Sequence, residues 1–212
     1  YSDLYKLNKV KNIHSTDTGS SVSLGFDFKI NDLDENKEVK KEKFRIGIGQ
    51  IISAEENRDM PSKATLNEKM SDIIGETSFN FNENIKITNS FLLDQNLENF
   101  NKNQIELGIV YPSTNFNLSY LEESKHIGST KYIQTKAGFN FNNGLISLGA
   151  KRNLLTNSAE FYDLSYEYIN DCLTAGVAFR REFYRDRDIE PDDSLIFKVT
   201  FSPLGTISTP EY

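Results

Sequence analysis

The residues of this chain that could take part in chemistry are few and scattered. His14 and His126 are its two histidines, and neither has carboxylates or thiols at a spacing typical of a metal site. Ser129 lies near His126, and these two residues are the only local candidates for a nucleophile and its general base. No carboxylate can be assigned to orient the histidine. The sequence contains no phosphate-binding or dinucleotide-binding fingerprint. It therefore predicts no enzyme, no cofactor and no metal.

Cys172 is the single cysteine and follows Asn170 and Asp171, which are typical of a tight turn. Two interpretations stay open at this point. An isolated cysteine is commonly a buried or interfacial thiol. In an oxidising compartment, an unpaired cysteine instead indicates a disulfide partner outside the segment.

A mixed-charge cluster lies near the C-terminal end of the chain. It could contact lipid phosphates or divalent ions, but we favour ion pairs that stabilise a loop, which are weak when exposed. The cluster consists of Arg180, Arg181, Glu182, Arg185, Asp186, Arg187 and Asp188.

The chain as a whole has a formal net charge of −7, which argues against a nucleic-acid partner.

The elements that must position these residues are β-strands. In residues 132–141 apolar and polar side chains alternate, which puts the two kinds on opposite faces of a strand. The same alternation recurs in about eleven segments, each near the roughly ten residues that cross a bilayer as a tilted strand. The predicted strands are 21–31, 43–53, 72–81, 85–94, 104–111, 116–122, 131–141, 145–154, 160–168, 172–184 and 194–201.

The connections between these strands alternate in length. Tight turns rich in Asn, Asp, Gly and Pro alternate with longer, mostly charged connections. Outer-membrane barrels have short periplasmic turns and longer outer loops, so the pattern places the tight turns in the periplasm. The first connection, residues 31–42, is an exception. The alternation requires a short turn here, but the connection is long and charged.

Composition is compatible with a barrel. The mean hydropathy is −0.52, and no apolar run is long enough for a transmembrane helix. A barrel has a polar interior, and only alternate residues face lipid. The 10 tyrosines and 15 phenylalanines include aromatic residues near strand ends, which suit an interfacial girdle. An odd number of strands with two open edges is not tolerated in lipid, so either the strand count is wrong by one or strands are missing upstream. We favour the second and expect a part of a larger barrel.

Several stretches, taken in order, resemble the C-terminal barrel of the LPS-assembly outer-membrane protein family LptD, also called the organic solvent tolerance proteins. The Asp-Cys turn and the terminal strand followed by Leu-Gly are the strongest parts. The first stretches are Leu7-Asn-Lys-Val10, Thr16-Asp-Thr-Gly19 leading into Val22-Ser-Leu-Gly-Phe-Asp-Phe28, Gly47-Ile-Gly-Gln50 and Ser71-Asp-Ile-Ile-Gly-Glu76. The last are Tyr166-Glu-Tyr-Ile-Asn-Asp-Cys172 followed by Gly176-Val-Ala-Phe-Arg-Arg-Glu-Phe-Tyr184, and Asp186-Arg-Asp-Ile-Glu-Pro-Asp-Asp-Ser-Leu195 ending in Phe201-Ser-Pro-Leu-Gly205.

The resemblance implies a barrel over residues 1–212 that inserts lipopolysaccharide into the outer leaflet of the outer membrane. It implies an LptE-like plug lipoprotein, and a periplasmic bridge protein that delivers lipid to an N-terminal domain absent from this segment. It also implies a lateral gate, with the last strand as one lip and Pro203 shortening or simply ending that strand. The implied gate residues are Ser194, Leu195, Ile196, Phe197, Lys198, Val199, Thr200, Phe201 and Pro203.

The resemblance also bears on Cys172. Some family members carry two adjacent cysteines at this turn that bond to the N-terminal domain, and here Asp171 replaces one of them. At most one such disulfide is implied, to a segment outside this chain.

Two other classes compete with lipid transport. An outer-membrane barrel enzyme would need a catalytic pair near the outer rim, for which Ser129 and His126 are the only local candidates. A general porin would need a closed barrel from one complete chain with an inward-folded loop.

Overall fold

The computed structural model describes residues 19–33, 39–60, 62, 65–124, 129–183, 192–201 and 205–208. These residues form twelve β-strands, and their order in one up-and-down sheet follows their order in the sequence. The predicted all-β antiparallel fold is therefore confirmed. The strands are β1 (Ser21–Leu33), β2 (Val39–Ser53), β3 (Ile73–Asn80), β4 (Ile85–Leu93), β5 (Phe100–Tyr111), β6 (Thr114–Glu123), β7 (Thr130–Phe141), β8 (Gly144–Asn153), β9 (Ser158–Ile169), β10 (Leu173–Glu182), β11 (Asp193–Phe201) and β12 (Gly205–Ser208).

The alternation of short and long connections is also confirmed. Two residues join β5 to β6 and β7 to β8, whereas residues 54–72 join β2 to β3. In the turn between β7 and β8, Asn142 has a φ of 37°. Asn tolerates this left-handed conformation, which tight hairpin turns of this length require.

Two details of the predicted strands are wrong. The long first gap does not exist, because β1 and β2 continue into it and leave only residues 34–38 between them. Charges on facing strands pair there, as between Lys43 Nζ and Asp32 Oδ1 at 3.0 Å, so a charged sequence still forms a hairpin. The prediction also missed β12, which has only four residues and too little sequence to show alternation.

The strands divide between two compact units. The first comprises residues up to 105 together with 121–130, and the second comprises 106–120 and residues from 131 onward. In the first unit, residues paired across β1 to β4 form rows on the two faces. One row consists of Phe26, Ile48, Gly75 and Phe91, and the next consists of Asp27, Gly47, Glu76 and Ser90.

The second unit repeats this separation of apolar and polar rows across β7 to β11. Residues directly opposite each other in antiparallel strands point to the same face. One row consists of Phe139, Ile146, Tyr166, Val177 and Phe197. The adjacent row on the other face consists of Gly138, Ser147, Ser165, Ala178 and Ile196.

The apolar rows are not buried within the protein. Among the described residues only Ile51 and Met60 are buried apolar side chains, whereas Phe26 is 62% exposed and Leu195 is 55% exposed. A water-soluble sandwich would hide these rows between two sheets. The exposed apolar face instead needs a covering that the described chain does not supply.

No helix in the described part of the chain has the length and apolarity to span a bilayer.

Candidate functional site

The polar face of the second unit carries most of the charged side chains of its strands. Alternation along each strand puts these side chains opposite the exposed apolar rows. Small residues lie between them, and a Cβ on Gly149 would come within 3.0 Å of the Asp163 carboxylate, while one on Gly176 would come within 3.1 Å of the Glu167 side chain. The charged residues are Lys136, Lys151, Asp163, Glu167, Arg180 and Lys198.

A groove of about 570 Å³ lies along β9, β10 and β11 at the end where the longer connections emerge. Asp163, Arg180 and Ser194, which are paired across the three strands, line it, and Glu182 and Asp192 lie at its end. The groove therefore presents one guanidinium among several carboxylates.

Ion pairs occupy the part of the charged cluster that the structure describes. Arg180 Nε lies 2.6 Å from Glu182 Oε1 and 3.5 Å from Asp163 Oδ1, and Arg181 Nε lies 3.4 Å from Asp193 Oδ1. The Arg180 guanidinium also lies 4.7 Å from the centre of the Phe161 ring. These contacts support ion pairing for this part of the cluster, whereas Arg185, Asp186, Arg187 and Asp188 lie outside the described residues.

The predicted gate segment, Ser194 to Phe201, falls within β11, which pairs with β10 over nine residue pairs. It is not the final strand, because β12 pairs with it on the other side from Lys198 to Phe201. That pairing has four residue pairs. The side chains of Leu195 and Phe197 belong to the exposed apolar face. Pro203 falls between β11 and β12, outside the described residues, and the gate role stays a prediction.

Cys172 lies in the turn of residues 170–172 between β9 and β10, with its side chain exposed and its thiol free in this chain. The Asn170 Oδ1 accepts a hydrogen bond from the Asp171 N–H at 2.7 Å, and the Leu173 carbonyl accepts one from the Asn170 N–H at 2.8 Å. The thiol is therefore accessible to a partner, and the predicted disulfide stays untested.

The residues considered for catalysis are not brought together by the described structure. His14 and His126 lie outside the described residues, and Ser129 lies at the edge of a connection. Within the described ranges no group of three or more His, Cys, Asp and Glu residues is placed to hold a metal ion.

A buried polar cluster in the first unit was not predicted from the sequence. Asp72 and Ser71 are 1% and 2% exposed, although they follow a long and polar connection. Asp72 Oδ2 accepts a hydrogen bond from Asn101 Nδ2 at 2.7 Å, and Asp72 Oδ1 accepts one from Thr65 Oγ1 at 3.0 Å. The Ile51 N–H donates to Ser71 Oγ at 2.9 Å.

The sequence matches a known protein family. Residues 1–152 match the family described as LptD: LPS transport system D. The chain belongs to this family. The match confirms the family that the sequence stretches resembled. A search of the curated proteins found no match.

The LptD family transports and assembles lipopolysaccharide and is not a family of known enzymes. The match spans β1 to β7 and most of β8. The groove on β9 to β11, the Cys172 turn and the predicted gate segment lie beyond the matched residues.

Proposed function

We propose that this chain forms part of the wall of a transmembrane barrel in the outer membrane, through which lipopolysaccharide reaches the outer leaflet. The single observation that carries the proposal is the exposed apolar face. Leu164, Leu195 and Phe197 are about half exposed, and Asp163, Glu167 and Lys198 of the same strands point to the opposite face. Such a wall is stable where lipid covers one face and a polar interior meets the other.

Lipopolysaccharide needs both of these surfaces. Its acyl chains are apolar, whereas its head is phosphorylated and rich in sugars. A wall with a polar inner face accepts the head, and a seam that opens sideways lets the acyl chains enter the bilayer directly. This match between substrate and surface supports transport by the LptD family over passage through a general pore.

We place the lateral gate at the seam between β11 and β12. A pairing of four residue pairs has about four backbone hydrogen bonds, each worth about 0.5–1.5 kcal/mol net. Separating β12 from β11 therefore costs less than separating β11 from β10, where nine residue pairs hold the strands together. The gate would open by release of β12, with β11 remaining as one fixed lip.

The polar face and the Cys172 turn would serve the remaining partners. A plug lipoprotein similar to LptE would lie against the charged and small residues of the polar face. A periplasmic bridge protein would deliver lipid through an N-terminal domain. Cys172, exposed in a tight turn on the short-turn side, would form a disulfide with that domain.

Site-specific photo-crosslinking tests the gate. A photoreactive residue at Leu195 or Phe197 should crosslink lipopolysaccharide in growing cells. The same probe at Leu148, which lies on the same apolar face of β8, serves as the matched control. Equal crosslinking at all three positions would indicate contact with membrane lipid in general and would contradict a gate at β11.

A separate measurement tests the disulfide. Cys172→Ser should change the migration of the full-length protein on non-reducing gels and leave its migration on reducing gels unchanged. Identical non-reducing migration of the variant and the native protein would rule out the bond.

A further inference from the structure

We propose that the buried cluster around Asp72 is a binding site for a hard divalent cation, with Ca²⁺ as the best fit to its ligands. The cation would fix the connection of residues 54–72 to the strand ends of the first unit. This inference does not depend on the proposed lipid route.

The first observation is a buried carboxylate with no positive partner among the described residues. Asp72 is 1% exposed, and its two oxygens accept hydrogen bonds only from the neutral groups of Thr65 and Asn101. Within the described ranges, no lysine or arginine forms an ion pair with it. A buried charge is costly unless a cation compensates it, and a bound metal ion is one such cation.

The second observation is a buried oxygen with no donor among the described residues. Asn101 is 3% exposed, and its Oδ1 has no hydrogen-bond partner in the described part of the chain. The Oδ1 of Asn67, in the same connection as Asp72, is also buried and has no partner there. Buried polar atoms of this kind call for a water or an ion.

The amide of Asn101 is already in reach of the carboxylate. Its Nδ2 lies 2.7 Å from Asp72 Oδ2, so the bond lengths of an amide put its Oδ1 within about 5 Å of that oxygen. A half-turn about the last torsion of Asn101 exchanges the two atoms and costs little in rotamer energy, because this torsion is broad and two-fold. The amide oxygen would then face the carboxylate across a cation.

Other oxygens complete a suitable ligand set. Thr65 Oγ1 lies 3.0 Å from Asp72 Oδ1 and 3.4 Å from the backbone carbonyl of Met70. Thr65 also has a φ of 52°, which is rare for a β-branched residue. Carboxylate, amide, hydroxyl and backbone oxygens are the donors that Ca²⁺ takes, with water in the remaining positions.

The single carboxylate sets the expected strength of binding. Sites with few charged ligands in extracellular proteins bind Ca²⁺ with dissociation constants of about 10⁻⁴–10⁻³ M. The absence of sulfur and imidazole from the cluster argues against zinc and copper.

A cation at this position would connect several loops. Residues 54–72 contact β2 through the Ser71 hydroxyl, and the Asn101 carbonyl accepts a hydrogen bond from the Ser124 N–H at 2.9 Å. Asn101 thus joins the start of β5 to the end of β6 and to the connection that carries Asp72. Loss of the cation would loosen all of these attachments together.

Limited proteolysis of the full-length protein in detergent, after treatment with EDTA, tests the proposal. Trypsin would cut residues 54–72 at the exposed Arg58 and Lys69. CaCl₂ at ten times its dissociation constant should slow this cleavage about tenfold, because the ion binds only the closed form. NaCl at the same ionic strength should not. Cleavage rates that do not respond to Ca²⁺ would overturn the proposal.

Variants separate cation binding from ordinary hydrogen bonding. Asp72→Asn should abolish the protection by Ca²⁺, whereas Asp59→Asn, an exposed carboxylate in the same connection, should retain it. Asn101→Asp adds a second carboxylate, so cleavage should be faster without Ca²⁺ and the midpoint for protection should fall to lower Ca²⁺.

The Asn101→Asp variant still tests cation binding if Asp72→Asn fails to fold. If Asn101 served only as a hydrogen-bond donor, Ca²⁺ would not rescue Asn101→Asp. That result would also overturn the proposal, as would equal loss of protection in Asp59→Asn.

Discussion

The two units place their carboxylates in opposite surroundings. In the first unit, Asp72 is buried and held by an amide and a hydroxyl at fixed distances. In the second unit, the side chains of Asp163 and Arg180 are 38% and 44% exposed and lie 3.5 Å apart. A buried group depends on each of its partners, because water cannot replace them. An exposed pair is screened by water and contributes little. The first unit thus uses polar residues to fix a loop, and the second uses them to form a surface.

The largest loss of stability is expected when a charge is placed on the exposed apolar face of the second unit. Leu164→Arg puts a charge on the exposed apolar face, and in lipid it should destabilise the protein by about 2–4 kcal/mol. Ser165→Arg, one residue along on the polar face, is the matched control and should cost much less. Urea unfolding in lipid vesicles measures both. A larger loss for Ser165→Arg would mean that the faces are reversed.

The next effect tests the buried cluster of the first unit. Asp72→Ala removes the acceptor of the Asn101 amide and one acceptor of the Thr65 hydroxyl, and a buried group left unsatisfied costs about 1–3 kcal/mol. The same unfolding experiment should therefore show a clear loss of stability for Asp72→Ala. Asp59→Ala, in the same connection but exposed, should stay close to the native protein. Equal stability of the two variants would show that burial gives Asp72 no special importance.

A smaller loss of stability is expected when closely packed glycines of the two units are replaced with alanine. A Cβ on Gly75 would lie 2.0 Å from Phe91 Cζ, so Gly75→Ala must push the ring away from its edge-on contact with Phe100. We expect a cost of about 1 kcal/mol, the low end for overpacking, because the ring can rotate. At Gly149 the nearest atom is the Asp163 carboxylate oxygen at 3.0 Å, which can move into water. Gly149→Ala should thus be milder, and the reverse order in unfolding experiments would contradict this ranking.

The smallest effect concerns the exposed ion pairs. Arg180→Ala removes contacts to Asp163 and Glu182, and exposed pairs of this kind contribute about 0.2–1 kcal/mol. The loss should shrink further at high salt, because ions screen exposed charges. A loss as large as that of Asp72→Ala, and independent of salt, would remove the distinction between the two units.

The sequence predicted the strands because alternation is a local property. Each of the eleven predicted segments corresponds to a strand, and the tight turns were recognisable from their Asn, Gly and Pro residues. The one predicted gap that does not exist, residues 31–42, failed for a physical reason. Asp32 was placed in this charged gap, but it pairs with Lys43 across the two strands, and that pairing depends on a register that one strand cannot reveal.

The buried cluster could not be predicted because it depends on contacts distant in sequence. Asp72 and Asn101 are separated by 29 residues, and nothing in either segment alone indicates burial. The strand β12 was missed for a different reason, since Gly205, Thr206, Ile207 and Ser208 show no clear alternation. The gate came only from the family resemblance. For Cys172 the residues alone left a free thiol and a disulfide open, and the resemblance was what favoured the disulfide.

The near absence of buried apolar side chains has a consequence for how this protein holds its shape. Ile51 and Met60 are the only buried apolar side chains among the described residues, so this part of the chain has almost no apolar interior of its own. Its hydrophobic stabilisation must come from the molecules that coat it. In the proposed bilayer, the thickness and fluidity of the lipid would then set the melting temperature as strongly as the amino-acid sequence does.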